Sequence, residues 1–357
     1  MRRLHYLLAG LVVVCLLGCL DEIELESPDQ PDEALVIQGR VVGGSVKEIE
    51  VRLERAFQFT GSNRPDRVLG ATVVIRNSQD EELMLRYSTT EGTYQPDPDE
   101  FRDFTVAPGL SYSLHITLRD GRRLESTQVP LLETVSPASV TVEPVQVERQ
   151  TAREVTLVPG LSFSVNTSLS SEAKRLRWTT FESYRYEEVP THPRFRDNDG
   201  RTCYITQREI ESGSVRLVDA TELRVDSLED FELARVPIDF KQHAGYVVSV
   251  YQEALDVPTY DYFAQIDEAI TREASLFEPP AGVIQSNIRF LDSDERVIGY
   301  FYAVDREVIH TYIVPQPDSP MRCPLPPSGS PFPAPNLCDD CVDIAGASLI
   351  RPSYFPL

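Results

Sequence analysis

Cysteines and histidines are the residues best suited to chemistry, and the spacing of the cysteines is the more telling. The chain holds Cys15, Cys19, Cys203, Cys323, Cys338 and Cys341. Cys338-Asp339-Asp340-Cys341 is a CxxC. Such a pair can ligate zinc, exchange disulfides, or form structural cross-links. Zinc would need a set such as Cys323, Cys338 and Cys341 with Cys203 or a histidine. A redox CxxC opens a helix in a thioredoxin-like α/β unit, and no such unit surrounds this one. Beyond the first residues the histidines are His115, His192, His243 and His310, and no two share local ligand spacing. Gly-x-Ser-x-Gly, His-Glu-x-x-His and a phosphate-binding glycine loop do not occur in the sequence. Asp197-Asn198-Asp199-Gly200 could open a calcium loop, but Phe195 stands where an EF-hand needs an acid, and a polar turn explains it as well. Asp97, Asp99 and Glu100, like Asp292, Asp294 and Glu295, read as solvated loops. With 56 acids in the chain, a carboxylate pair for glycoside hydrolysis cannot be picked without geometry. Two aromatic groups, Phe181, Tyr184 and Tyr186, then Tyr260, Tyr262 and Phe263, could stack on sugars, grip a partner, or pack a core. No catalytic residue, no metal ligand and no cofactor is assigned.

The N-terminus carries a second kind of chemistry. Arg2 and Arg3 precede an apolar run, Leu7 to Leu17, that is too short to span a bilayer. It ends in Leu16-Leu17-Gly18-Cys19, which resembles the lipobox of bacterial lipoproteins. Residues 1–18 then read as a signal peptide and Cys19 as the lipidated residue. Two or more acyl chains make such an anchor stable, each buried CH2 adding about 0.8 kcal/mol. Residues 19–33 carry Asp21, Glu22, Glu24, Glu26, Asp29, Asp32 and Glu33 around Pro28 and Pro31, the pattern of an extended acidic tether. Leu20 follows the Cys, so the usual inner-membrane retention signal is missing. Acids just after the lipidated Cys resemble a surface-export signal of one lineage of two-membrane bacteria, and they also suit a plain spacer. With Cys15 lost and Cys19 lipidated, Cys203, Cys323, Cys338 and Cys341 remain. In an exported protein two disulfides are the default, with three connectivities. The preferred pairing ties Cys203 to the tail, because Pro324 to Pro335 has little else to hold it.

The elements that must position these residues are strands. The 357 residues less the signal leave 339, enough for two domains. There are 27 prolines and 41% apolar residues, which suits a folded, strand-rich chain. The net charge is −22, and −24 once Arg2 and Arg3 are cleaved, which argues against nucleic acid and anionic lipid as partners. Alternation at Ile49, Val51 and Leu53, at Ala71, Val73 and Ile75, and at Tyr112, Leu114, Ile116 and Leu118 marks half-buried strands. Asp120-Gly121 between two such runs is a hairpin signal. About seven strands predict an immunoglobulin- or transthyretin-like β-sandwich over 34–130. A proline-bearing junction at 130–150 leads into a second β-rich domain, 131–320. Its strand candidates are Val155–Val165, Arg177–Tyr186, Arg201–Thr206, Leu233–Phe240 (confined to an edge by Pro237), Tyr246–Tyr251, Ile284–Leu291 and Val297–Val304. Trp178 is expected in its core. One helix is expected, Thr259 to Phe277, ended by Pro279-Pro280. Residues 321–357 form a Pro/Cys-rich tail.

These motifs, taken in order, resemble a known family. They are the lipobox, the acidic tether, Leu35-Val36-Ile37-Gln38-Gly39, Gly70-Ala71-Thr72-Val73, Arg177-Trp178, Arg201-Thr202-Cys203-Tyr204, and Tyr246 to Tyr251. Ser286-Asn287-Ile288, Val297-Ile298-Gly299-Tyr300-Phe301, Cys338-Asp339-Asp340-Cys341 and Arg351-Pro352-Ser353-Tyr354-Phe355 complete the series. Together they resemble the lipoprotein family called domain of unknown function 4249. The resemblance implies an outer-membrane lipoprotein, exposed at the cell surface, encoded beside a TonB-dependent receptor. It implies no reaction. The expected role is a non-enzymatic accessory or ligand-binding partner of that receptor in nutrient uptake. A structural or adhesive surface module, or a hydrolase of glycan or peptide, stands as the alternative.

Overall fold

The computed structural model describes residues 34–55, 66–150, 154–170, 172–188, 200–208, 215–221, 223, 225–271, 284–316, 319 and 340–356. Outside these fall the signal, Cys19, the tether, His192, Asp197 to Asp199, Pro279-Pro280, Cys323, Cys338 and the Pro-rich stretch. Alternation does in the fold what it does in the sequence. In β1 (Leu35–Gly44), β2 (Glu48–Arg55), β4 (Thr72–Asn77), β5 (Glu82–Ser88) and β7 (Ser111–Thr117), every second side chain is buried over most of the strand. Shorter strands join them: β3 (Asp66–Arg67), β6 (Thr93–Pro96), β8 (Arg123–Ser126) and β9 (Val129–Pro130). The Asp120-Gly121 turn closes β7 onto β8 through Leu118 N–H to the Arg122 carbonyl, 2.9 Å. Asp97, Asp99 and Glu100, expected in a loop, instead start a six-residue helix, α1 (Pro98–Asp103). The Asp97 carboxylate caps it by accepting from Asp99 N–H at 3.0 Å.

The expected junction at 130–150 is largely strand. β10 (Ser139–Gln150) pairs with β11 (Val155–Ser168), and β11 with β15 (Ser227–Pro237). Pro144 is tolerated because β10 is an edge strand, and Pro237 ends the other edge. This three-stranded sheet packs on β12 (Arg175–Glu187) and β16 (Tyr246–Ala254). Trp178 meets Phe231 at 4.8 Å, and Phe163 meets Tyr246 at 6.5 Å between ring centres. Trp178 is buried as expected. β13 (Thr202–Arg208) and β14 (Arg216–Asp219) flank β12.

One strand joins the two halves. β18 (Val297–Ile313) has 17 residues, about 55 Å of chain. Its first ten pair in parallel with β1, Leu35 with Val297 through Gly44 with Arg306. Its last eight pair antiparallel with β16, Arg306 with Glu253 through Ile313 with Tyr246. The preceding strand, β17 (Ile288–Phe290), pairs with β8. Asn287 ties β17 to β18: its amide donates to the Phe301 carbonyl at 2.8 Å, and its side-chain oxygen accepts from Phe301 N–H at 2.9 Å. Residues 288–303, grouped by the sequence with the second region, therefore pack in the first core, where Ile288, Phe290, Val297, Phe301 and Ala303 are buried with Ile37, Ile75 and Leu114. A Cβ at Gly39 would come within 2.9 Å of the Phe301 ring and 3.4 Å of Leu114, so the core closes over the bare backbone there. Gly299 sits at φ 100° with the Ile37 carbonyl 2.1 Å from where a Cβ would be, a position only glycine fits.

Among the described residues the protein is thus mainly β, with two α-helices. The expected helix is α2 (Val257–Thr271), beginning two residues early, and its expected end, 272–277, lies outside the described residues. Phe263 on its stripe is buried, while Ile270 is exposed.

Candidate functional site

The second half of the long sheet has one face under the three-stranded sheet and one face outward. The outward face carries the even residues of β18: Tyr300, Tyr302, Val304, Arg306, Val308, His310 and Tyr312. Register sets Arg40 beside Tyr302, Glu253 beside Arg306, Tyr251 beside Val308, and Phe181 one strand further on. Helix α2 covers one end. Tyr262 stacks on Tyr300 at 4.3 Å, and Phe263 meets Tyr302 edge-on at 5.3 Å. The C-terminal segment covers the other, with Tyr354 stacked on His310 at 4.4 Å and Phe355 against Tyr204 at 5.1 Å.

Two open cavities lie on this face. One, about 320 Å³, has Phe181, Tyr251, Thr179 and Tyr302 as its floor and Arg40, Glu48, Arg177 and Arg306 around it. The other, about 300 Å³, lies between the helix and β1–β2 and shares Arg40 and Tyr302.

The charges here are paired in a chain. Arg177 Nε donates to Glu253 Oε2 at 2.7 Å, and Arg306 Nε to Glu253 Oε1 at 2.8 Å. Arg40 Nη2 donates to Glu48 and Glu50, each at 2.6 Å. Arg177 also lies 3.8 Å above the Phe263 ring, which fastens α2 to the sheet. Burial pushes the Glu253 carboxyl up, but Arg177 and Arg306 outweigh it and hold it below the usual carboxylate range. Burial likewise opposes ionisation of Glu48, and Arg40 overcomes it. Burial pushes the Tyr300 hydroxyl up to about 12. The site is therefore ionised, internally compensated and half-aromatic over a broad pH range.

The structure divides each aromatic group differently. Tyr184 and Tyr186 point into the second core, edge-on to Phe240, while Phe181 faces outward 4.7 Å from Tyr251. Tyr262 and Phe263 arrive from α2 on the same outward face. Sequence reading missed Arg40, Glu48, Glu253, Tyr300, Tyr302 and Arg306, because the site exists only where β18 brings β1 and β16 together. The usable signal was the even-numbered aromatic and charged residues running on past Val304 in β18.

Among the candidate cysteines, Cys203 and Cys341 form a disulfide, with Cα atoms 6.1 Å apart. Cys323, Cys338 and Cys19 lie outside the described residues. Glu188 accepts from Cys341 N–H at 2.7 Å and from Arg201 Nη2 at 2.7 Å, and Arg201 also reaches Asp340. Glu188, Cys203 and Cys341 are the one group among the described residues with ligand atoms close enough for a metal, within 4.8 Å. The S–S bond takes both thiols, and the carboxylate is engaged, so the group is a clasp. Replacing both cysteines by serine should cost about 2–4 kcal/mol, since the bridge closes a loop of 138 residues. Chemical unfolding of wild type with and without reductant checks this; an unchanged midpoint would mean that the clasp holds nothing.

The histidines sit beside serines: His115 Nε2 is 2.9 Å from Ser113 Oγ and His310 Nδ1 is 2.8 Å from Ser249 Oγ. Ser249 is buried, and Tyr354 closes over the imidazole. Burial lowers the pKa of both rings, so they are neutral at pH 7. Asp292 and Glu295 pair on the surface with Arg123 at 3.0 Å and Arg122 at 2.6 Å.

These features define a two-region β protein with a ligand-sized, charge-compensated site on the outer face of its long sheet. The family model described as Domain of unknown function (DUF4249) matches residues 20–308, and the chain belongs to that family. No curated protein matches the chain.

Proposed function

We propose that this protein is an outer-membrane lipoprotein, anchored through lipid on Cys19 and facing the cell surface. It acts without catalysis as the ligand-binding or accessory partner of a TonB-dependent receptor in nutrient uptake. The observation that carries the binding role is the pair of cavities on the outer face of the long sheet, joined through Arg40 and Tyr302. Their size is at the lower end for small-molecule sites. Their ionised groups are bound to one another rather than held ready for proton transfer or nucleophilic attack. The lipobox and the acidic tether support the location.

The adhesive alternative has one observation in its favour. β10 and β11 continue as a two-stranded ribbon past the end of β15 at Pro237, with Val155 and Leu157 exposed.

Two measurements test the proposal. Purification of the tagged, lipidated protein from native outer membranes should bring a stoichiometric TonB-dependent receptor with it. Recovery of the protein alone, under inducing and non-inducing conditions alike, would overturn the partnership and favour an adhesin or free-standing binder. Cys19→Ala should move the protein out of the membrane fraction; retention would refute the anchor.

A further inference from the structure

We infer that the cavity bounded by Phe181, Tyr251 and Tyr302 takes a neutral sugar ring, with the neighbouring cavity across Arg40 and Tyr302 receiving the next ring of an oligosaccharide. This deepens the binding reading above and rests on it.

Charge comes first. Arg40, Arg177 and Arg306 face three carboxylates, Glu48, Glu50 and Glu253, in continuous contact, and a fourth arginine, Arg52, lies 3.8 Å from Glu50 at the rim of the second cavity. An ionic ligand would gain little net attraction, and drawing one member away would leave its partner uncompensated at a site where Glu253 is only 1% exposed. Phosphate, carboxylate and ammonium ligands are therefore disfavoured.

Shape comes next. Both cavities lie on the face of a sheet whose backbone groups are spent in the ladders between β1, β18, β16 and β12. An extended peptide binds by adding to a sheet edge, and it finds no free main-chain partners on a face. A purely apolar ligand would strand the arginine and glutamate groups of the rim without water.

A pyranose satisfies both conditions. One side of its ring is C–H and packs on aromatic faces, here the Phe181–Tyr251 pair and Tyr302. Its hydroxyls each donate and accept. Guanidinium groups offer up to five donors and ionised carboxylates accept at about four positions, so paired Arg and Glu retain valence for such hydroxyls without separating. Specificity among sugars would then come from the position of Arg40, which lines both cavities.

The test uses the full-length lipidated protein, purified in detergent, on an array of neutral and anionic glycans, with calorimetry on each hit. At least one neutral oligosaccharide should bind saturably. Its affinity should hold within about twofold between roughly 0.1 and 1 M NaCl, where the Debye length falls from about 10 to about 3 Å. Phe181→Ala should weaken it about tenfold or more. Thr179→Trp, which fills the cavity while leaving its three aromatic rings in place, should do the same, with the unfolding midpoint of each variant measured alongside. Binding to no neutral glycan overturns the inference. So does binding only to anionic glycans with steep salt dependence, or binding that both variants leave intact. Because co-purification of a receptor does not depend on the glycan, loss of this inference would leave the receptor partnership standing, and the reverse also holds.

Discussion

Glu253→Gln should destabilise the protein by about 3–5 kcal/mol, the range for removing one partner of a buried ion pair. Glu253 is 1% exposed, and both of its oxygens are occupied, one by Arg177 and one by Arg306. The amide keeps the shape but withdraws the charge, leaving two guanidinium groups facing each other in the sheet. Arg177 also holds Phe263 of α2, so the helix should loosen with it. An exposed pair provides the contrast: Asp292→Asn breaks a bridge in which both partners are more than half exposed and should leave the unfolding midpoint almost unchanged. Replacing Arg177, Glu253 and Arg306 together by apolar residues of similar volume should cost less than Glu253→Gln alone, because no charge is then stranded. Urea unfolding of the variants measures all of these. A Glu253→Gln cost below about 1 kcal/mol would mean that water reaches the network.

The same carboxylate sets a pH dependence. Its folded pKa lies below the ordinary 4.5, so its contribution is fully present above about pH 4.5 and is lost as pH falls through the folded value. Glu188 and Glu48 are shifted the same way, Glu188 by Arg201 and the Cys341 N–H overcoming its burial, and they act in the same window. Asp239 and Asp305 are held above 3.8 by burial and act in the opposite sense. Wild-type stability should therefore be level from pH 8 to 5 on account of Glu253. The difference between wild type and Glu253→Gln, which isolates this one group, should shrink only below pH 4.5.

How much of this was legible follows from which interactions are local. Strands β2, β4 and β7 were readable because period-two alternation is a property of consecutive residues. Cys203 could be tied to the tail in outline, because a proline-rich stretch without a core needs a fastener. Helix α1 carried a readable Asp97-Pro98 start signal, but six residues give too little periodicity to reveal a helix. Strand β10 was hidden by Pro144, whose meaning depends on whether the strand lies at an edge, and that is a tertiary fact. The site was the least legible part. Arg40, Glu253 and Arg306 are 53 to 266 residues apart in sequence, and each alone looks like an ordinary surface charge. Parallel pairing of β1 with β18 joins residues about 260 positions apart with no turn between them to announce it.

That pairing carries the second large effect. A fragment spanning 34–130, the expected sandwich domain, should not fold on its own. It lacks β17 and β18, and with them Ile288, Phe290, Val297, Phe301 and Ala303, all buried against its core. Truncating one buried Phe to Ala typically costs about 3–5 kcal/mol, so the loss of Phe290 and Phe301 alone approaches the whole stability of an average domain, about 5–15 kcal/mol. The fragment would also leave the ten ladder positions of β1 unpaired, an apolar edge open to aggregation. Joining residues 284–304 to the fragment through a flexible linker restores both the core and the edge partner, and this version should unfold cooperatively. Gly299 and Asn287 are needed for that rescue, one for the close approach to Ile37 and the other for the two hydrogen bonds to Phe301. Dispersed amide resonances and a single urea transition in the joined version, with neither in the 34–130 fragment, are the expected result. A cooperative transition in the shorter fragment would show that its core closes without β18. The long strand would then be a later attachment between two self-sufficient domains.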